Sequence, residues 1–288
     1  MGIDLTLSLG YTVNSFMLGV FDSGFGGLTV LREIHRHLPH LSTLYLGDNA
    51  RAPYGDRGPE EIFQFALEGL SFLYAQGCPL VIFACNTASA QALRKIQQTI
   101  LPVQFPDRRV LGVTRPTVEY LAGSDHAHHL GIFATQATVD SRSYELELYK
   151  LLAKDSVILT QVACLGLTDL IETGKEETEE TKKLVEHYIS LMLARDPEVE
   201  RVLLACTHYP LIKHLFEEAL PRGVEVLTQG EVVAQKLKDY LARHPEIVDR
   251  LDQTGRRRYC TTSSAGISQL ATRFYGSEIN FEQVKINS

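Results

Sequence analysis

The chain has 288 residues, a formal net charge of -7, and apolar and charged fractions of 44% and 22%. These values suit one large domain or two ordinary ones with a real core, and the acidic balance argues against a surface built for nucleic acid or anionic lipid. Five cysteines, odd in number and scattered, do not read as a disulfide framework and fit a reducing cytoplasm, and no apolar run reaches the roughly 20 residues of a membrane-spanning helix.

Residues 1–16 contain Asp4 and lack a basic start or a convincing cleavage site, so they read as an N-terminal extension rather than a signal peptide. A strand is expected at Met17–Phe21, ending in Asp22-Ser23-Gly24, with a helix over Leu28–His37 that Pro39 stops. A strand at Thr43–Leu46 and a helix from about Pro59 to Ala75 lead into the strand that ends at Cys85. A helix is expected from Gln91 to Gln98. A second series opens with a strand at Val110–Val113 and one at His129–Phe133, followed by a helix through Tyr149. The run Lys175–Glu180 reads as a solvated helix start. A strand then runs into Cys206, with a helix at Leu211–Leu220, a strand at Val224–Leu227 and a helix at Glu231–Arg243. The tail has a segment around Arg257–Thr262, a helix from about Ala265 and a strand near Phe281–Ile286. Strands alternating with helices predict doubly wound parallel α/β sheets.

Val81-Ile82-Phe83-Ala84-Cys85-Asn86-Thr87 is echoed by Val202-Leu203-Leu204-Ala205-Cys206-Thr207-His208. Each is a buried-type strand that delivers a cysteine to its carboxyl end, where parallel sheets bind ligands. A helix N-terminus nearby would favour thiolate at each. Two thiols in matching positions of a repeat suit a reaction that inverts a carbon bearing a proton, with one sulfur as base on one face and the other as acid opposite. Asp22 and His208 could tune or orient the thiols. Hydroxyls and amides at Ser23, Asn86, Thr87, Ser89, Thr135, Thr138 and Thr207 fall at expected strand ends and suit a small zwitterionic acid. Cys78, Cys164 and Cys260 lack such pairing and read as core residues. His126, His128 and His129 have no Cys or carboxylate at ligand spacing, so no metal site is assigned. Arg256-Arg257-Arg258 is too short and isolated to indicate nucleic acid.

The motifs Phe21-Asp22-Ser23-Gly24-Phe25-Gly26-Gly27-Leu28, Gly47-Asp48-Asn49-Ala50-Arg51-Ala52-Pro53-Tyr54-Gly55, Ala84-Cys85-Asn86-Thr87-Ala88 and Cys206-Thr207-His208-Tyr209-Pro210-Leu211 resemble, in order, those of the cofactor-independent aspartate/glutamate racemase superfamily, and of its glutamate branch in particular. The resemblance covers roughly Leu18 to the C-terminus. It implies two similar domains related by pseudo-twofold symmetry with the active site in the cleft between them. The first would comprise residues 17–109 plus 226–288, and the second 110–225. It implies that Cys85 takes the α-proton of D-glutamate and Cys206 that of L-glutamate, without cofactor or metal. Asp22 would assist Cys85, and His208 and Glu172 would assist Cys206. Pro53, Tyr54 and Gly55 join the substrate contacts named above. A homodimer in a bacterial cytoplasm that supplies D-glutamate for peptidoglycan is also implied, with no nucleic-acid or membrane partner. Two positions depart from the family pattern: Leu165 stands where proline is frequent, which loosens the alignment of Glu172, and Asn49 stands where threonine is common. Competing readings are a racemase of aspartate or another amino acid, a hydrolase or transferase with Cys206 as nucleophile and His208 as base, and a non-catalytic amino-acid binding protein.

Overall fold

The apolar runs of β1 (Leu18–Asp22), β2 (Thr43–Gly47) and β3 (Leu80–Phe83) are buried at every residue, the pattern of strands covered on both faces. In the computed structural model, which describes residues 16–123, 127–153, 156–263 and 267–286 (side chains 267 and 268 excepted), they form the centre of a six-stranded sheet. Its other strands are β4 (Arg109–Gly112), β9 (Arg257–Thr261) and β10 (Glu282–Gln283), in the order β10-β9-β2-β1-β3-β4. A four-stranded sheet contains β5 (His129–Ala134), β6 (Ile158–Ala163), β7 (Arg201–Ala205) and β8 (Glu225–Thr228), in the order β6-β5-β7-β8. All strand pairs within both sheets are parallel.

The two sheets share one winding. The order 2-1-3-4 of the first four strands is repeated by 6-5-7-8, so β3 and β7, which precede the two cysteines, are equivalent. Sheet membership does not follow the expected boundaries at 109/110 and 225/226. Strand β4 pairs with β3 and β8 pairs with β7, because each closes its own sheet as the fourth strand instead of opening the next unit. The tail returns to the first sheet through β9 beside β2. Of the expected N-terminal extension, residues 1–15 lie outside the described residues, and Phe16 forms a bridge to Leu251.

Alternation along β1 and β2 sends Phe21, Leu44 and Leu46 into the core beneath the helix Pro59–Ala75, and Leu18, Val20 and Tyr45 to the opposite face. The cluster on that opposite face continues through Leu28, Phe133, Leu204 and Val233, so a single apolar core joins both sheets. A second strip, with Leu130, Ile132 and Leu203, fills the far face of the second sheet.

Some elements differ from the expectations. The helix expected from Gln91 starts at Asn86 and passes through a π-type turn at Ile96–Ile100 just before Pro102, whose missing N–H the wider turn accommodates. The strand β6 and the helix Thr114–Leu121 were not expected. Among the described residues, no helix is long and apolar enough to cross a membrane. His128 and His129 bond to the Ser156 carbonyl and to Asp196, while His126 lies outside the described residues. The metal-type trio Glu33, His37 and Glu231 is bridged by Arg36, with Arg36 Nε 2.9 Å from Glu33 Oε2, and none of the three lines the cleft described next.

Candidate active site

Cys85 follows β3 after Ala84 and caps the helix Asn86–Gln91, its sulfur accepting the Ala88 N–H at 3.4 Å. The Ser23 hydroxyl, at the end of β1, lies 3.4 Å from the same sulfur. Burial, reinforced by the negative charge of Asp22, pushes the Cys85 thiol up to about 12, although its bonds to Ser23 and the Ala88 amide pull the other way. The helix terminus acts in the direction expected, toward thiolate, but desolvation outweighs its one weak N–H bond.

Cys206 follows β7, but the chain turns there through a 3₁₀ segment, Tyr209–Ile212, before the helix Lys213–Ala219. Its neighbours are side chains: His208 Nδ1 at 3.8 Å and Thr168 Oγ1 at 3.9 Å. The other ring nitrogen of His208 lies 2.9 Å from Glu172 Oε1. Burial would lower the His208 pKa, but the bonds to Cys206 and Glu172 and the charges of both raise it well above the ordinary histidine value.

Cys85 and Cys206 line one cleft, at the carboxyl ends of β3 and β7. Of the residues named from sequence, Ser23, Pro53, Tyr54, Gly55, Cys85, Asn86, Thr87, Thr135, Cys206, Thr207 and His208 line it. Asp22 is fully buried and does not line the cleft, accepting the Gly24 N–H at 2.9 Å and the Thr207 hydroxyl at 3.3 Å. Burial raises its pKa against the pull of His208 and of the Gly24, Gly27 and Thr207 donors. Thr138 is likewise fully buried and bonds to Thr135, whose hydroxyl meets Thr87 across the cleft at 2.9 Å. Glu172 does not line the cleft and reaches it through His208.

The approach of the two halves requires a glycine. A Cβ on Gly26 would stand 2.4 Å from Thr207 Oγ1 and 2.6 Å from His208 Nδ1. The loop bearing Pro53 and Tyr54, with a cis Ala52–Pro53 bond, is anchored from below: Tyr54 donates to Asp48 at 2.5 Å, Arg51 donates to Asp48 at 2.6 Å, and Arg51 also bonds to Glu68.

Sequence reasoning missed part of the wall: Asp56, Gln136, Cys164, Gly166, Thr168 and Asp169. Four of these follow the unexpected strand β6. Cys164, read as core, is buried but also forms part of this wall.

The family model described as Asp/Glu/Hydantoin racemase matches residues 19–237. A glutamate racemase of Paracoccus denitrificans is 43% identical over 277 residues, covering 92% of this chain and 98% of that protein. The crystal structure of a glutamate racemase from Bacillus anthracis aligns with a TM-score of 0.84 at 30% identity, covering 95% of this chain and 98% of the other. That of the Francisella tularensis glutamate racemase, in complex with D-glutamate, aligns at 0.82 with 26% identity, covering 96% and 99%.

Proposed function

The chain belongs to the Asp/Glu/Hydantoin racemase family, and from that premise we propose that it interconverts L- and D-glutamate by passing the α-proton between two cysteines. The observation that carries this reading is the shared cleft: Cys85 and Cys206, each following the third strand of a sheet wound 2-1-3-4, line it together.

In this reading the α-carbon of glutamate lies between the sulfurs. One, as thiolate, takes the proton from its face, and the other, as thiol, returns a proton to the opposite face. For L-glutamate the base is Cys206, with His208, held by Glu172, as its hydrogen-bonding partner. For D-glutamate it is Cys85, with Asp22 behind it. The substrate ammonium offsets the negative charge near Cys85 and eases ionisation of that thiol. Ser23, Pro53, Tyr54, Gly55, Asn86, Thr87, Thr135 and Thr207 hold the carboxylates and the ammonium, and Thr138 steadies Thr135. No step needs a cofactor or a metal. The division into residues 17–109 plus 226–288 and residues 110–225, moved to follow β4 and β8, belongs to the same proposal, as do a homodimer, a cytoplasmic location and a supply of D-glutamate to peptidoglycan.

The alternative is a hydrolase with Cys206 as nucleophile and His208 as base. The thiol–imidazole pair of Cys206 and His208 would serve that chemistry, but the hydrolase leaves Cys85 idle. The test incubates the protein with L-glutamate in D2O. D-glutamate carrying deuterium at the α-carbon is expected, with Cys85→Ser and Cys206→Ser each abolishing conversion between enantiomers. Full activity in either variant would refute the two-thiol assignment.

A further inference from the structure

Behind the cleft lies a ring of buried polar side chains that reaches the cleft wall at Asn86. Asn86, the residue after Cys85, is 2% exposed, and both ends of its amide are engaged. The Tyr144 hydroxyl donates to Asn86 Oδ1 at 2.6 Å, and Asn86 Nδ2 donates to Gln229 Oε1 at 2.6 Å. Gln229 Nε2 donates to the Tyr144 oxygen at 2.6 Å, closing the ring, and to Thr117 Oγ1 at 3.1 Å. The partners come from both halves. Asn86 follows β3, Gln229 follows β8, and Tyr144 lies in the helix Ser143–Leu148 after β5.

Hydrogen counting fixes the direction of every bond. The Thr117 hydroxyl has one hydrogen, which it gives to the Val113 carbonyl at 2.7 Å, so toward Gln229 it can only accept. Gln229 must therefore present its NH2 group to Thr117 and Tyr144, and its carbonyl to Asn86. Asn86 must then turn its NH2 group toward Gln229, and its carbonyl takes the one hydrogen of Tyr144. This consumes one of the two Asn86 amide hydrogens and leaves the second unspent. An asparagine held only by packing could turn over and offer its carbonyl oxygen instead.

We propose that Tyr144 and Gln229 are positioning residues that, with Thr117 as their reference, lock the Asn86 amide so that its remaining N–H, never its C=O, is offered to a carboxylate of the substrate in the cleft. The proposal rests on the glutamate racemisation read above and names how one binding contact of that site is oriented. An acceptor facing an anionic carboxylate repels it, whereas a preset donor binds it without reorganisation.

The experiment is a double-mutant cycle in the racemase assay, with Tyr144→Phe, Asn86→Ala and the double variant, and with Gln229→Glu as a second probe that keeps the shape of Gln229 but cannot donate to both Thr117 and Tyr144. Thermal melts run alongside to identify the folded variants. Tyr144→Phe and Gln229→Glu are expected to raise KM for glutamate at least about tenfold with a much smaller change in kcat. In the Asn86→Ala background, Tyr144→Phe should add nothing further to KM, because its effect passes through the missing amide. A near wild-type KM in the folded single variants overturns the proposal, and so do fully additive effects on KM. If the unaltered protein does not racemise glutamate at all, the reading beneath the proposal fails first.

Discussion

The two candidate acid–base sulfurs keep opposite electrostatic company. Cys85 has a buried carboxyl, Asp22, beside it, while Cys206 has an imidazole whose pKa is raised. With its pKa pushed up to about 12, the Cys85 thiol of the free protein stays protonated at pH 8. Alkylation of Cys85 by iodoacetamide, followed by peptide mass spectrometry, should therefore accelerate about tenfold per pH unit from pH 8 to 10. A plateau below pH 9 would show that burial does not dominate. His35 offers a separate pH test. It bonds to Tyr275 at 2.7 Å and Thr43 at 2.8 Å, and burial, then the charge of Arg257, lowers its pKa to about 3. In the unfolded chain this ring protonates near pH 6.5, while in the folded protein it stays neutral. The unfolded state thus binds the extra proton between those values, and His35 makes stability fall by up to ~1.4 kcal/mol per pH unit as pH drops from about 6.5 toward 3. Urea unfolding at pH 7 and pH 5 should differ by about 2 kcal/mol more in the parent protein than in a folded His35→Asn variant; equal differences would remove His35 as the cause.

At the scale of elements, the helix Pro59–Ala75 shows which of two effects wins. Alanine at Gly69 would gain about 1 kcal/mol of helix propensity, but its Cβ would stand 2.3 Å from the Phe21 ring, which is packed against Phe83 and Tyr54. A rigid ring so placed cannot retreat cheaply, so Gly69→Ala should destabilise by about 1–3 kcal/mol net, read from the urea midpoint. A stabilised variant would mean that the helix shifts freely on its sheet. The same packing explains what the sequence disclosed. β1, β2 and β3, and β7 but for its first residue, are buried throughout, and their unbroken apolar runs were readable. β6 lies at a sheet edge with Ile158 exposed and Thr160 and Gln161 half-buried, so it carries neither a continuous run nor a clean alternation. Missing that strand hid the segment Cys164–Asp169 and its share of the cleft wall. Cys85 and Cys206 were legible because a repeat marks them. Gln229 and Tyr144 were not, since only the fold brings residues so distant in sequence onto one amide.

For the molecule as a whole, the apolar cluster that runs from Val20 through Phe133 to Val233 binds the two sheets into one cooperative body. Unfolding in urea should give a single transition, coincident by far-UV circular dichroism and by thiol accessibility; two separated transitions would show that the sheets melt independently. The repeated winding has a last consequence, which is thermodynamic. The equivalent strand ends of the two sheets are dissimilar, with Asp22 matched by Ala134 and Asp48 by Cys164, so the two half-reactions proposed for the cleft run in unlike surroundings. Mirror-image amino acids nevertheless have identical free energies in water, so their equilibrium ratio is unity. No substitution in either half can then favour one direction in kcat/KM. Any handedness in turnover must be offset by an equal handedness in KM.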